Sequence, residues 1–260
     1  MINSVGIIGN GFVGNAIYIN LNDKVDIKVF DVDPNKSINT LDNVLDSDLM
    51  FVCLPTPMSC GGVCDVSFVF DFFKTVQSKG IFILKSTVPI GTTEKLCKMR
   101  PDLKIIHNPE FLTAVNASED FLNSDRTILG GDVLWCEIVK EFFLKYFPNS
   151  PIQIVASGES ETIKYFSNCF LASKIAFFNN LYETCQKFNF DYDAVSNGVC
   201  SDKRIGFAHS RVPGPDGKFG FGGYCFPKDI NAFIHIQKEC DIDSSLFESV
   251  WNYNLKIRNI

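Results

Sequence analysis

The chain has 260 residues, 46% of them hydrophobic and 21% charged, with a formal net charge of −6 and a pI near 5.1. That length holds one large domain or two smaller ones, and the composition excludes an extended disordered chain. The acidic balance gives no footprint for nucleic acid or an anionic membrane surface, so neither is expected as a partner.

The opening residues Met1 to Ile8 carry no basic lead, and glycines at Gly6 and Gly9 break their apolar run, so no secretory leader is expected. No stretch approaches the ~20 continuous apolar residues of a membrane span. The expectation is a soluble, cytoplasmic protein. The ten cysteines sit mostly inside apolar runs such as Phe51-Val52-Cys53-Leu54 and read as buried thiols rather than a disulfide framework. Cys60 and Cys64 flank a Gly-Gly turn, but no second pair at zinc spacing follows and the three histidines are scattered. No metal site is expected.

In chain order, Ser4 to Ile8 reads as a short buried strand, followed at once by Gly9-Asn10-Gly11-Phe12-Val13-Gly14 and a helix through Asn15-Ala16-Ile17. This is G-x-G-x-x-G between a strand and a helix, the context that gives it meaning. Gly9 permits the tight turn, Gly11 lets a pyrophosphate approach the backbone, and Gly14 lets helix pack on strand. Amides at the helix start, around Phe12 and Val13, then face the phosphates. The next strand, Asp26 to Phe30, ends in Asp31, close to the ~20-residue spacing expected of the carboxylate that binds a ribose 2′-hydroxyl. A carboxylate there repels a 2′-phosphate, so NAD is favoured over NADP; Lys36, just beyond, is assigned to the same cofactor site.

Four further apolar runs follow. Leu49 to Leu54 stops at Pro55-Thr56-Pro57, and Gly80 to Leu84 ends at Lys85-Ser86-Thr87-Val88-Pro89. Leu103 to Ile106 ends at His107-Asn108-Pro109-Glu110, and Arg126 to Leu129 ends at Gly130-Gly131. Short apolar runs separated by helical segments imply a doubly wound, mainly parallel sheet over residues 1–155. Ligands of such sheets bind beyond the carboxyl ends of the strands, so Thr56, Ser86, Thr87 and Glu110 are expected near the cofactor.

Residues 156–260 read as helical. Ser157 opens a long helix whose apolar residues Ile163, Phe166, Phe170, Ile175, Phe178 and Leu181 recur at helical spacing. Lys164 and Asn168 share one face of it, which periodicity alone assigns to solvent. Another helix starts near Tyr192, and two more cover roughly 228–239 and 244–260. Between them lies a loop rich in glycine, Gly214 to Gly223, leading into Tyr224-Cys225-Phe226-Pro227-Lys228-Asp229. Its backbone can approach a ligand closely. A helix start and Lys228 both favour thiolate at Cys225, which makes it the cysteine with the chemistry of a nucleophile.

Taken in order, the glycine turn, Ser86-Thr87-Val88-Pro89, Asn108-Pro109-Glu110-Phe111-Leu112, Asp125-Arg126, Lys164-x3-Asn168, Asp202-x-Arg204-Ile205-Gly206 and Gly220-Phe221-Gly222-Gly223-x-Cys225-Phe226-Pro227-Lys228-Asp229 resemble the UDP-glucose/GDP-mannose dehydrogenase family across nearly the whole chain. The Phe after the cysteine is more similar to the UDP-glucose enzymes. The resemblance implies a Rossmann-type NAD domain followed by an all-helical dimerisation and substrate domain. It implies a four-electron oxidation of a nucleotide sugar at C6, UDP-glucose to UDP-glucuronate, with two NAD and a thiohemiacetal and thioester on Cys225. Lys164 and Asn168 would stabilise the oxyanion. Asp229 with Thr87 would position water, and Glu110 would be the general base. Phe111, Leu112, Phe221, Gly222 and Gly223 would line the sugar nucleotide. Arg204 would reach the substrate of a neighbouring subunit, implying a homodimer through the helical domain.

Three departures accompany the resemblance. Ala114 stands where the family usually has a second Glu, a few extra residues surround Val212-Pro213-Gly214-Pro215-Asp216, and the sequence given ends at Ile260, where relatives usually continue into a third, nucleotide-binding domain. Alternatives are the same chemistry on GDP-mannose or another nucleotide sugar, and an NAD-binding module or pseudoenzyme that pairs with a separate chain. A two-electron dehydrogenase related to 6-phosphogluconate enzymes is a further one, against which the cysteine loop argues.

Overall fold

A computed structural model describes residues 2–113 and 116–258. The chain divides into two units, one comprising Met1–Pro57 and Asp65–Lys164, the other Met58–Cys64 and Tyr165–Ile260.

The first unit is built on seven strands: β1 (Ser4–Ile8), β2 (Asp26–Phe30), β3 (Leu49–Val52), β4 (Ile81–Leu84), β5 (Lys104–His107), β6 (Thr127–Gly130) and β7 (Ile152–Val155). Their order is β2-β1-β3-β4-β5-β6-β7. The first five pair in parallel; β6 pairs antiparallel with β5, and β7 parallel with β6. Every residue of β3 and β4 is buried, so these strands need apolar side chains on both faces. Successive residues supply opposite layers. Ile7, Phe51 and Ile83 join one core, with Leu21 of α1 (Phe12–Leu21) and Phe142 and Phe143 of α6 (Val133–Tyr146). Ile8, Val52 and Phe82 join the other, with Phe73 of α3 (Ser67–Thr75) and Leu96 of α4 (Thr92–Met99).

The short helix α2 (Leu41–Leu45) and the six-residue α5 (Ala117–Leu122) complete this unit. α5 leans on α1, where Asn20 Nδ2 donates to Ser118 O at 2.9 Å. The β5–β6 connection holds only this short helix, and β6 returns antiparallel. The chain reverses direction across the sheet between β1 and β3, and it is outside the carboxyl ends of such strands that dinucleotides bind.

One long helix, α7 (Ser157–Phe188), ends the first unit with Lys164 and continues in the second. The second unit adds α8 (Tyr192–Cys200), α9 (Cys225–Glu239) and α10 (Ser245–Arg258). Its short segment Met58–Cys64 closes in an antiparallel bridge between Met58 and Cys64. Gly62 there lies so near α9 that a Cβ would sit 2.9 Å from Asn231 Cβ. α9 starts at Cys225 itself, ahead of the expected Lys228, with Pro227 in the first turn, where a missing N–H leaves no bond unmade. The face of α7 expected to meet solvent is instead buried: Lys164 is 3% and Asn168 7% exposed, whereas Phe166 and Phe170 are 49% and 66% exposed. Among the described residues no helix is long and apolar enough to cross a membrane.

Candidate active site

In the first unit the turn after β1 has the backbone that its glycines were expected to permit. Gly9 adopts φ +91°, and its N–H donates to Phe30 O at 2.9 Å. A Cβ on Gly14 would lie 2.0 Å from Gly9 O, so helix and turn pack at a distance only glycine allows. Around Gly11 nothing stands within 4 Å of where a Cβ would be, and the position is exposed. Phe12 is also exposed and Val13 half-buried.

Asp31 is locked to this turn. Its Oδ2 accepts from Asn10 N at 2.6 Å and its Oδ1 from Asp33 N at 2.8 Å. Lys36 joins through its backbone, which accepts from Asn10 Nδ2 at 2.8 Å, while its side chain reaches Asp33 at 3.8 Å. Asn10 Oδ1 is buried without a hydrogen-bond partner. The open backbone at Gly11, a carboxylate at Asp31 and a buried acceptor beside it fit the pyrophosphate and ribose hydroxyls of NAD.

The strand tails are knitted together. Thr56 Oγ1 donates to Thr87 O at 2.8 Å, and Ser86 Oγ to Leu54 O at 2.7 Å. Beyond β5 the polar groups are buried. Burial pushes His107 down to about 3, so its ring is neutral: Nε2 faces Ser86 O at 3.4 Å and Nδ1 accepts from Ser160 Oγ at 2.9 Å. Burial likewise lowers Lys85 to about 8; its Nζ donates to Asn108 Oδ1 at 2.8 Å.

Glu110 accepts from Lys164 Nζ at Oε1 (2.9 Å) and from Leu112 N at Oε2 (2.7 Å), and its carbonyl takes a second Lys164 bond at 2.6 Å. Desolvation raises the Glu110 carboxyl, but the Lys164 ammonium outweighs it and holds the group below the ordinary carboxylate value. Two cations approach the Phe111 ring, Arg126 Cζ at 4.4 Å and Lys164 Nζ at 5.3 Å from its centroid. A water-sized cavity of about 20 Å³ opens among Lys85, Asn108, Glu110 and Arg126. Ala114 lies outside the described residues.

In the second unit Cys225 is exposed, at the first residue of α9. One turn on, Asp229 is 1% exposed. Its Oδ1 accepts from Lys228 Nζ and its Oδ2 from Asn168 Nδ2, each at 2.5 Å. Burial opposes the Lys228 charge, but Asp229, with Cys64 and Cys225 adding to it, holds Lys228 above the ordinary lysine value. Phe221 is buried between Phe226 and Trp251. Gly222 is half-buried, and Gly223 is exposed at φ +75°. Arg204 is almost fully exposed and pairs with Asp202 at 2.6 Å.

The structure therefore brings Glu110 to Lys164 and Phe111 in one unit, and Asn168 to Asp229 and Lys228 in the other. Asp229 and Thr87, expected to act on one water, belong to different units, and both Asp229 oxygens are taken by protein donors. Sequence reasoning passed over Lys85 and Asn108. A lysine ending the apolar run Ile81-Phe82-Ile83-Leu84 was the available signal, because a charge continuing a fully buried strand needs a partner.

A doubly wound α/β unit with a glycine-rich turn at its first helix, followed by a helical unit, is the architecture of a dinucleotide-binding protein of the Rossmann class. Two models of one family match in tandem: the NAD binding domain of the UDP-glucose/GDP-mannose dehydrogenase family over residues 37–144, and its central domain over 158–256. The chain belongs to that family, and its N-terminal unit is an NAD-binding domain. It is 33% identical to UDP-glucose 6-dehydrogenase TuaD of Bacillus subtilis (strain 168) over 82% of this chain and 47% of that protein. A UDP-glucose 6-dehydrogenase of Rickettsia bellii (strain RML369-C) is 34% identical over 80% of this chain and 49% of its own length. The chain thus spans about half the length of the curated relatives it matches. Among solved structures, a UDP-glucose dehydrogenase from the archaeon Pyrobaculum islandicum superposes with a TM-score of 0.85 at 26% identity, covering 98% of this chain and 68% of that one.

Proposed function

We propose that this chain carries the chemistry of an NAD-dependent nucleotide-sugar 6-dehydrogenase, converting the C6 alcohol of UDP-glucose to a carboxylate through a covalent intermediate on Cys225. The observation that carries this reading is an exposed cysteine at the start of α9 beside Lys228, one turn before an Asp229 that grips the Asn168 amide. NAD, when bound, supplies the hydride acceptor, once for each of two oxidations. The chain's residues do the rest. The Cys225 thiolate adds to the C6 aldehyde, forming a C–S bond and an oxyanion that takes up a proton as the thiohemiacetal. Loss of the second hydride and of the hydroxyl proton leaves a thioester. Water then attacks, the C–S bond breaks, and Cys225 leaves as thiolate.

Lys164 and Asn168, one turn apart on α7, present a cation and an amide donor to the oxyanion. Asp229 fixes which way the Asn168 amide points. Glu110, kept ionised by Lys164, takes the proton of the attacking water. Phe111 and Leu112 with the backbone of Gly222 and Gly223 hold the sugar nucleotide. Family membership and the curated relatives named UDP-glucose 6-dehydrogenase favour UDP-glucose over GDP-mannose as substrate.

The protein acts as a homodimer through its helical part. Phe170, Phe177 and Phe188 on α7 are each more than half exposed, an apolar surface suited to a second copy, and the protruding Arg204 would reach across it. An exposed reactive thiol suits the reducing cytoplasm.

The test is NADH production from purified protein with NAD and UDP-glucose, with GDP-mannose in parallel. Two NADH per sugar, lost in Cys225→Ala with NAD binding retained, is the expected result. Full turnover by Cys225→Ala would end the covalent reading.

A further inference from the structure

Four of the loop's residues ahead of Cys225 are tied by α10. Asn254, fully buried, accepts from Phe221 N at Oδ1 (2.7 Å) and donates from Nδ2 to Phe221 O (3.0 Å), so one side chain satisfies both backbone groups of one residue. Arg258, one turn further on the same face, donates from Nη1 to Phe219 O (3.0 Å) and Gly220 O (3.2 Å), and from Nη2 to Asp216 Oδ2 (2.8 Å). Its side chain is only 8% exposed. Asn179 of α7 adds a bond from Gly220 N at 2.9 Å. The glycines make this possible. A Cβ on Gly220 would lie 2.3 Å from Asn254 Oδ1, and one on Gly222 would lie 2.4 Å from Arg258 Nη2.

We propose that Asn254 and Arg258 are positioning residues for Cys225. They fix the backbone of residues 219–221, leaving only Gly222, Gly223 and Tyr224 before the thiol and so setting where α9 begins. The physical reason is economy of freedom: a loop this rich in glycine samples many conformations unless each backbone group is held. A planar guanidinium holding two consecutive carbonyls and a carboxylate is a fork no lysine reproduces. With the loop held, Cys225 stays in the first turn of α9 beside Lys228, where thiolate is favoured. The inference rests on Cys225 as the nucleophile for its meaning in catalysis, but not for its measurement.

The experiment is the rate of Cys225 alkylation by iodoacetamide across pH, read by peptide mass spectrometry, in the wild type and in Asn254→Asp, Asn254→Ala, Arg258→Lys and Arg258→Ala, with Cys225→Ala as background. Thermal melting and NAD binding report whether each variant is folded. The expected result is a roughly tenfold slower reaction at neutral pH and a reactivity midpoint moved to higher pH in Asn254→Ala and Arg258→Ala. Asn254→Asp, which keeps only the acceptor, and Arg258→Lys fall between, and guanidinium ion added to Arg258→Ala restores part of the rate. In the turnover assay these variants lose kcat while KM for NAD stays. Folded variants that alkylate at the wild-type rate with an unmoved midpoint overturn the proposal. If instead Cys225→Ala retains turnover, the nucleophile reading fails while the alkylation result still decides the positioning role.

Discussion

The two glycine-rich stretches of this molecule spend glycine on different neighbours. In the turn Gly9 to Gly14, a Cβ on Gly14 would strike a carbonyl of the same turn, five residues back, and Gly11 faces open space. In the loop before Cys225, Gly220 and Gly222 make room for two side chains of α10, more than thirty residues later in the chain. The first pattern answers to local backbone geometry and a ligand, the second to a remote helix. A spacing rule finds the former, whereas the latter follows only from which helix lands on the loop.

Substitution separates the two. Gly14→Ala forces a Cβ against backbone that has nowhere to go, so a loss of about 4 kcal/mol or more is expected in denaturant unfolding, with NAD binding lost alongside. Gly222→Ala meets only the flexible end of Arg258 and should cost about 1 kcal/mol, most of it in the pairing with Asp216. Equal costs at the two positions would erase the distinction.

The buried charges of the first unit come next in size. Glu110→Gln leaves the Lys164 ammonium, 4% exposed, facing an amide, and about 3 kcal/mol of stability should go with it. Unfolding titrations of Glu110→Gln and of Lys164→Met would show the cost. A smaller loss in Lys164→Met than in Glu110→Gln would mean that the lysine is the harder group to bury.

His107 should give a graded effect with pH. Its folded value, about 3, lies below the ordinary 6.5, so the unfolded chain takes up a proton first as pH falls. Stability is therefore whole above about pH 6.5 and declines by about 1.4 kcal/mol per pH unit beneath it. Glu110, also held below its ordinary value, steepens the decline only under about pH 4.5. Melting curves between those two values should slope less steeply in His107→Gln, which can still donate to Ser86 O and accept from Ser160, than in the wild type, with His209, also lowered by burial, keeping part of the slope in both.

The smallest effect on stability belongs to Gly11→Ala. Nothing stands within 4 Å of the new methyl, so melting should not change by more than about 0.5 kcal/mol. NAD affinity should nonetheless fall several-fold, because the methyl occupies the approach to the backbone amides. Unchanged affinity would remove Gly11 from the cofactor site.

The continuous apolar runs placed six of the seven strands, β1 to β6, within a residue or two, because a fully buried strand must be apolar on both faces whatever surrounds it. The glycine turn with Asp31 was legible for the same reason: its constraints act over a few residues of backbone. On α7 the same periodicity misled. Phe166 and Phe170 repeat as a core face should, yet they are the exposed ones, while Lys164 and Asn168 are buried. Helical spacing reports which residues share a face, not which face the fold covers, and here buried carboxylates at Glu110 and Asp229 decided it.

By itself, then, the sequence determined six of the seven strands, the glycine turn of the NAD-binding domain, the family, and the glycine-rich loop that leads into Cys225, all features written in contiguous residues. Only the tertiary structure decided that Asp229 holds Asn168, that Lys85 is buried against Asn108, and that Asn254 and Arg258 of α10 secure the loop ahead of Cys225. Those pairings join residues far apart in the chain, and a hydrogen bond leaves no trace in spacing until folding has chosen its partner.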